Sequence, residues 1–320
     1  MTNANLRAQN LSRTIKEVRS ILLLALTVLF GVLISPEAAE YVKDGFDLAA
    51  GYVIPSSFPF MLISDIYVAY GNPESIEWLN KLFSSILGIP KKAIAPFICG
   101  NVGGFPIGAK MISESYASGE LEKSDAERLI AICNNPSCAF VVGGVGLGIY
   151  GDASIGFMLL ISLYISTLTC ALVTRGNHSK SVVFGDNNRQ NYNFVDSVKR
   201  SGSSCINIFA FICAFSVMMG IIKKRVKYAP LLYTVMAFAE VTNAVKSFAF
   251  LHQSNTLLSL SLSAFSLGFG GACVGMQSAV FTSSSGLKMK KYYLLKTLEG
   301  VICAAIISLL YTIKNNSGAM

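Results

Sequence analysis

Two long apolar segments in the first half of the chain, Ala93–Met111 and Leu129–Tyr150, are each broken in mid-course. Pro96, Pro106 and a cluster of glycines interrupt the first, and Asn134-Asn135-Pro136-Ser137 interrupts the second. A helix that unwinds inside a bilayer exposes backbone N–H and C=O groups, each costing several kcal/mol if left unpaired. Such breaks survive only where protein, water or a ligand satisfies them. This pattern therefore narrows the fold more than any other feature of the chain.

Composition sets the same environment. The 320 residues include 26 Lys or Arg and 18 Asp or Glu, so only 14% are charged, against about 25% in soluble domains. Residues of the set AVILMFWYC make up 52%, and the mean hydropathy is +0.54. These values exclude a soluble enzyme, a disordered chain and a nucleic-acid binder, and they predict an all-α polytopic membrane protein. The net charge of +8 does not indicate nucleic acid. Its basic residues cluster beside apolar runs (Arg13, Lys16 and Arg19; Lys223, Lys224, Arg225 and Lys227; Lys288, Lys290 and Lys291), where anionic headgroups and cytoplasmic charge bias place them.

The hydropathy pattern predicts about seven or eight spans together with broken or re-entrant pieces. After a polar, basic segment at 1–20, the first half covers 21–173, with candidate spans Ile21–Ile34, Leu48–Tyr70 and Ala153–Val173. Basic residues before the first span and Glu37, Glu40, Asp44 and Asp47 after it predict a cytoplasmic N-terminus. Between these spans, Pro73–Pro90 carries the only Trp, Trp78, and reads as an amphipathic helix at the interface. Ser124 stands in capping-box spacing before Glu127 and is a candidate N-cap. A polar linker at 174–196 separates the second half, 197–314, whose spans lie near 203–222, 229–251, 257–280 and 292–313.

The second half repeats the interruptions. Glu240-Val-Thr-Asn-Ala244 lies inside one apolar run and Gly268-Phe-Gly-Gly-Ala-Cys-Val-Gly-Met-Gln277 inside the next. Secondary transporters use such paired breaks, at corresponding positions of two similar, inverted halves, to build a midplane site. Helix N-termini at the breaks favour an anionic group, and unwound carbonyls favour a cation. The bland alternative is helix packing through Gly100-x3-Gly104, Gly104-x3-Gly108 and Gly271-x3-Gly275. The recurrence beside Asn, Thr, Glu and Gln favours a binding site formed by Gly103, Gly104, Pro106, Gly108, Asn134, Asn135, Ser137, Glu240, Thr242, Asn243, Gly270, Gly271 and Gln277.

Glu240 is the main carboxylate within an apolar run. A charge at a helix centre costs about 2.5–3.5 kcal/mol on insertion scales. Pairing with Lys246, binding of a coupling proton and hydrogen bonding to a ligand are its three candidate roles. The eight cysteines lie within or against apolar segments and read as packing thiols, with no metal-ligand spacing. Gly146-Leu-Gly-Ile-Tyr-Gly151 matches a dinucleotide fingerprint without its βαβ context, and Gly151-Asp152 lacks the spacing of an intramembrane protease. No Walker A, H-E-x-x-H or G-x-S-x-G motif occurs. No enzyme activity, cofactor or metal is expected.

The stretches Pro55–Phe60 (PSSFPF), Gly100–Gly148, Ala239–Lys246 (AEVTNAVK) and Gly268–Ser278 (GFGGACVGMQS) resemble the YlbJ-type sporulation integral membrane proteins of the nucleoside-recognition or Gate domain group. The resemblance covers about residues 45–310, with Phe105 and Asn135-Pro136 departing from the family's usual residues. It implies a transport-type protein with two similar halves, distantly related to concentrative nucleoside transporters. It also implies a role in moving dipicolinate during sporulation, in a bacterial inner membrane or the mother-cell-derived forespore membrane. The expected partners are a small-molecule substrate, a small organic anion or nucleoside-like metabolite, and the lipid bilayer. Nucleic acid is excluded and self-association into a homo-oligomer is left open. The alternative is a non-transporting recognition or scaffold protein that uses the same small-residue faces to assemble a sporulation complex.

Overall fold

The computed structural model describes residues 37–70, 77–175 and 193–317. The expected N-terminal segment 1–20, the span Ile21–Ile34 and residues 176–192 of the linker lie outside them. Every regular element among the described residues is helical, as expected of a multi-pass membrane protein.

In the first half, α1 (Ala38–Leu48) runs through a wide π-helical turn, Ala49–Val53, into α2 (Ile54–Tyr70), which carries Pro59. Helix α3 (Glu77–Leu87) is amphipathic, and Trp78, Leu82 and Ile86 are exposed along it. A short turn, Lys91–Ala93, leads into α4 (Ile94–Gly103), α5 (Ile107–Ala117) and α6 (Lys123–Ile132). The π-helical α7 (Phe140–Ile149) and the uninterrupted α8 (Ala153–Val173) complete this half. Ser124 is not the cap of α6, because the helix begins one residue before it, with Glu122 at the N-cap. Glu127 instead accepts the backbone N–H of Lys288 at 3.1 Å and faces Lys291 at 3.8 Å, tying α6 to the start of the last helix. Asp152 caps α8 by accepting from Ser154 N at 2.7 Å.

The second half comprises α9 (Phe194–Arg225), α10 (Ala229–Ala239), α11 (Val241–Ala249), α12 (Thr256–Phe269), α13 (Gly271–Ser285) and α14 (Lys290–Ser317). The order of the first half recurs: two broken helices (α4/α5 and α6/α7, then α10/α11 and α12/α13) followed by one uninterrupted helix (α8, then α14).

The expected count of seven or eight spans includes Ile21–Ile34, which lies outside the described residues. Among the described residues, four helices are long and apolar enough to cross alone, and up to six if each bent pair counts as one span. The run at 229–251, expected as one span, is divided at Glu240 into pieces of 11 and 9 residues.

Close backbone contact through glycine packs helices both between the halves and within each. A Cβ on Gly45 would lie 2.8 Å from Cys213 Cα, which brings α1 against α9. One on Gly146 would lie 2.6 Å from Gly156 Cα, and one on Gly268 would lie 2.8 Å from Gly300 Cα, so α7 abuts α8 and α12 abuts α14. Small residues let membrane helices approach this closely, where dispersion rather than hydrophobic exclusion drives association. A buried cluster from both halves, including Phe140, Leu159, Leu163, Val241, Leu260 and Leu267, fills the space behind the breaks.

Gly100 and Gly108 both face the Cys133 carbonyl, onto which an added methyl at either position would fall. Gly108→Ala should therefore destabilise the fold by at least about 1–3 kcal/mol. A methyl added to Gly202 would meet nothing within 4 Å, and Gly202→Ala should be neutral or gain about 0.5–1 kcal/mol. Thermal unfolding of the two purified variants in detergent tests this; equal midpoints would refute the packing role of Gly108.

Candidate functional site

The four breaks meet. Gly104 has φ of +91° and lies against Ser137, whose backbone N would be 2.7 Å from a Cβ there. In the second half, Gly271 (φ +78°) lies against Ala239 O and the Cα of Glu240. Across the halves, a Cβ on Gly270 (φ +82°) would come within 3.3 Å of the Phe105 ring. Only glycine reaches these left-handed angles without steric cost, so the tight meeting of the breaks depends on it. Phe105 is joined to Pro106 by a cis peptide bond.

A cavity of about 30 Å³ lies where they converge. From the breaks it is lined by Phe105, Pro136, Ser137, Glu240, Val241, Thr242 and Gln277, with Phe140 and Val274 one turn further on. Val53 and Ser57 of the α1–α2 segment, and Ile208 and Ile212 of α9, form the remaining wall. In this conformation it has room for a water molecule or two. Both π-helical stretches reach it, through Val53 and Phe140, and they pack on each other where Tyr52 covers Gly144 and Gly148. Widened turns of this kind recur at functional positions of helices.

Each break satisfies its own backbone. At the second, Ser137 Oγ accepts from Phe140 N at 3.1 Å, opening α7. At the third, Glu240 adopts extended angles (φ −149°, ψ 123°) and caps α11 with its side chain. Its carboxylate accepts from Thr242 N at 2.9 Å, Asn243 N at 2.7 Å and Asn243 Nδ2 at 2.9 Å. The pairing with Lys246 that the sequence allowed is not formed, and Lys246 is exposed. A carboxylate offers about four lone-pair sites, so the three bonds of Glu240 leave it some capacity to meet a ligand or proton.

Each break sets a helix N-terminus (α5, α7, α11, α13) beside the C-terminus of the helix before it (α4, α6, α10, α12). An N-terminus carries about +0.5 charge and a C-terminus about −0.5, so the dipole ends offset one another and Glu240 is the formal charge on the cavity wall. The rings of Phe105 and Phe140 on its wall suit a flat ligand.

Of the expected site residues, Ser137, Glu240, Thr242 and Gln277 line the cavity, while Gly104, Pro106, Gly270 and Gly271 shape the turns beside it. Gly103 instead faces Phe60, and Gly108 faces Cys133, so both serve helix contact. Asn243 holds Glu240 and donates to Ser216 Oγ at 2.9 Å. Asn134 ties its break to the second half, donating to Ser278 Oγ at 2.8 Å and the Tyr292 hydroxyl at 3.4 Å.

Asn135 leads to a second polar system that sequence reasoning missed. Its Oδ1 accepts from Lys296 Nζ at 2.5 Å, and Lys296 pairs with Glu299 at 2.8 Å. Both side chains are essentially unexposed, at 0% and 1%. Glu299 also accepts from Thr167 Oγ1 at 2.6 Å, and Asn135 Nδ2 donates to Asn101 Oδ1 at 2.8 Å. Glu240 is therefore not the main intramembrane carboxylate, as hydropathy had suggested. Lys296 and Glu299 stand three residues apart near the start of a 28-residue helix, where they resemble ordinary edge charges. Their opposite signs on one helical face were the available signal.

The chain is similar to the sporulation integral membrane protein YlbJ of Bacillus subtilis (strain 168), with 23% identity over 323 aligned positions covering 88% of this chain and 79% of that protein. The expected YlbJ-type resemblance thus extends along nearly the whole chain. No protein-family model and no solved structure matches it.

Removing one member of a buried ion pair costs about 3–5 kcal/mol, whereas replacing both can be neutral. Lys296→Met should accordingly lower the thermal midpoint sharply, and Lys296→Met/Glu299→Gln should recover most of the loss. A double variant no more stable than the single one would refute the pairing energetics.

Proposed function

We propose that this multi-pass membrane protein is a transporter, not an enzyme, and that it moves a small, planar organic anion across a membrane during sporulation. One observation carries the reading: four helix breaks, two from each half, converge on one cavity. Convergent half-helix N-termini are how secondary transporters hold anionic groups at the midplane. The similarity to a sporulation integral membrane protein supports the cellular setting, and dipicolinate, a flat aromatic dicarboxylate, fits the chemistry of the site.

In this reading Ser137, Thr242 and Gln277 supply hydrogen bonds to the substrate, and Phe105 and Phe140 flank its ring. Glu240 holds the α11 break in shape and sets the net charge. The cavity is smaller than such a substrate, so loading requires the breaks to separate, with one half or its broken helices moving against the rest. The scaffold alternative draws less support, because Gly100, Gly108, Gly146, Gly156, Gly268 and Gly300 are already occupied in contacts within the chain. A nucleoside-like substrate would use the same aromatic walls but bring no carboxylate to the half-helix N-termini.

Purified protein in liposomes should exchange labelled dipicolinate in counterflow. Gln277→Ala and Phe105→Ala should each reduce the rate by about ten- to a hundredfold, the loss of about 1.4–3 kcal/mol of substrate interaction. Unchanged exchange in both variants would remove the cavity from the pathway, and no exchange of dipicolinate by the wild type would exclude this substrate.

A further inference from the structure

The ion pair behind the cavity points to what drives transport, an inference that rests on the transporter reading above. Lys296 and Glu299 of α14 lie fully inside the protein and meet the second break through Asn135, two residues from the cavity-lining Ser137. Oxygens from three elements gather there: Asn135 Oδ1 from the break, Thr167 Oγ1 from α8 and the carboxylate of Glu299. Such a set would suit a bound cation, but the ammonium of Lys296 already bridges two of its oxygens, at 2.5 Å from Asn135 and 2.8 Å from Glu299.

We propose that Lys296 is a tethered cation that takes the place of a metal ion, and that Glu299 is the proton-carrying group of a proton-coupled transport cycle. A cluster whose cation seat is filled by its own chain has one exchangeable cation left, a proton on the carboxylate. In the step, a proton from water adds to a carboxylate oxygen of Glu299, and Lys296 stays an ammonium. The cluster passes from neutral to singly positive, which offsets an anion at the breaks, and the proton leaves to the opposite side with the substrate. Other titratable groups near Glu299 are Cys170 of α8 and Tyr292 and Cys303 of α14. Helix α12, also packed against α14, contributes none, and Glu127 and Arg128 of α6 are engaged with Lys288 and Gly88.

The test uses the full chain in liposomes with the membrane potential clamped at zero. An inward gradient of one pH unit should accumulate labelled dipicolinate about tenfold per coupled proton, and a sodium gradient should accumulate none. Lys296→Met/Glu299→Gln, which leaves no unpaired charge, should keep counterflow and lose the pH-driven accumulation. Sodium-driven accumulation by the wild type, or pH-driven accumulation persisting in the double variant, would overturn the proposal. If the wild type shows no counterflow, the transporter reading fails separately. Infrared difference spectra between acidic and alkaline pH then decide the proton site without transport. A carboxylic C=O band present in the wild type and absent in the double variant supports it, and identical spectra overturn it.

Discussion

Unwound backbone inside an apolar protein must find hydrogen-bond partners, and the rest of this structure follows from how four breaks meet that demand. The α4/α5 break uses a tight turn in which Ile107 N bonds Gly104 O at 3.0 Å. The next uses the Ser137 hydroxyl, the third the Glu240 carboxylate, and the last a left-handed glycine, with Gly270 N bonding Ser266 O at 2.8 Å. Four different chemical solutions serve one constraint.

Because each solution is local, the breaks can also approach one another. Glycine at 104, 270 and 271 removes the side chains that would hold them apart. Their convergence brings helix ends of both polarities into a region otherwise walled by Val53, Ile208, Ile212 and Val274. The same geometry that shelters the backbone leaves Ser137, Glu240, Thr242 and Gln277 facing a small interior cavity. The Lys296–Glu299 pair extends this polar interior toward α8 and α4 without opening it to solvent.

Much of this was legible in the chain itself. The clean span Ala153–Val173 has the bounds expected from hydropathy, the amphipathic helix α3 leaves Trp78 exposed, and all four breaks fall where Gly, Pro, Asn or Glu interrupt apolar runs. Capping was less legible. Ser124 and Glu127 had the right spacing, yet the demand of Lys288 N, 161 residues away, drew Glu127 elsewhere. The roles of Gly103 and Gly108 were also mixed with those of the cavity residues, since a glycine that shapes a site and one that admits a neighbouring carbonyl look the same in sequence.

The sequence by itself determined an all-helical membrane protein, the positions of its breaks and the repetition of those breaks on either side of a polar linker. These follow from hydropathy and backbone conformational preference, which act over a few residues. Only the tertiary structure decided that the breaks share one cavity, that Glu240 caps α11 instead of pairing with Lys246, and that Asn135 and Lys296 meet across 161 residues. The physical reason is that a buried charge is tolerated only beside its partner, and for Asn135 and Lys296 the packing of α14 against the first half supplies that neighbour.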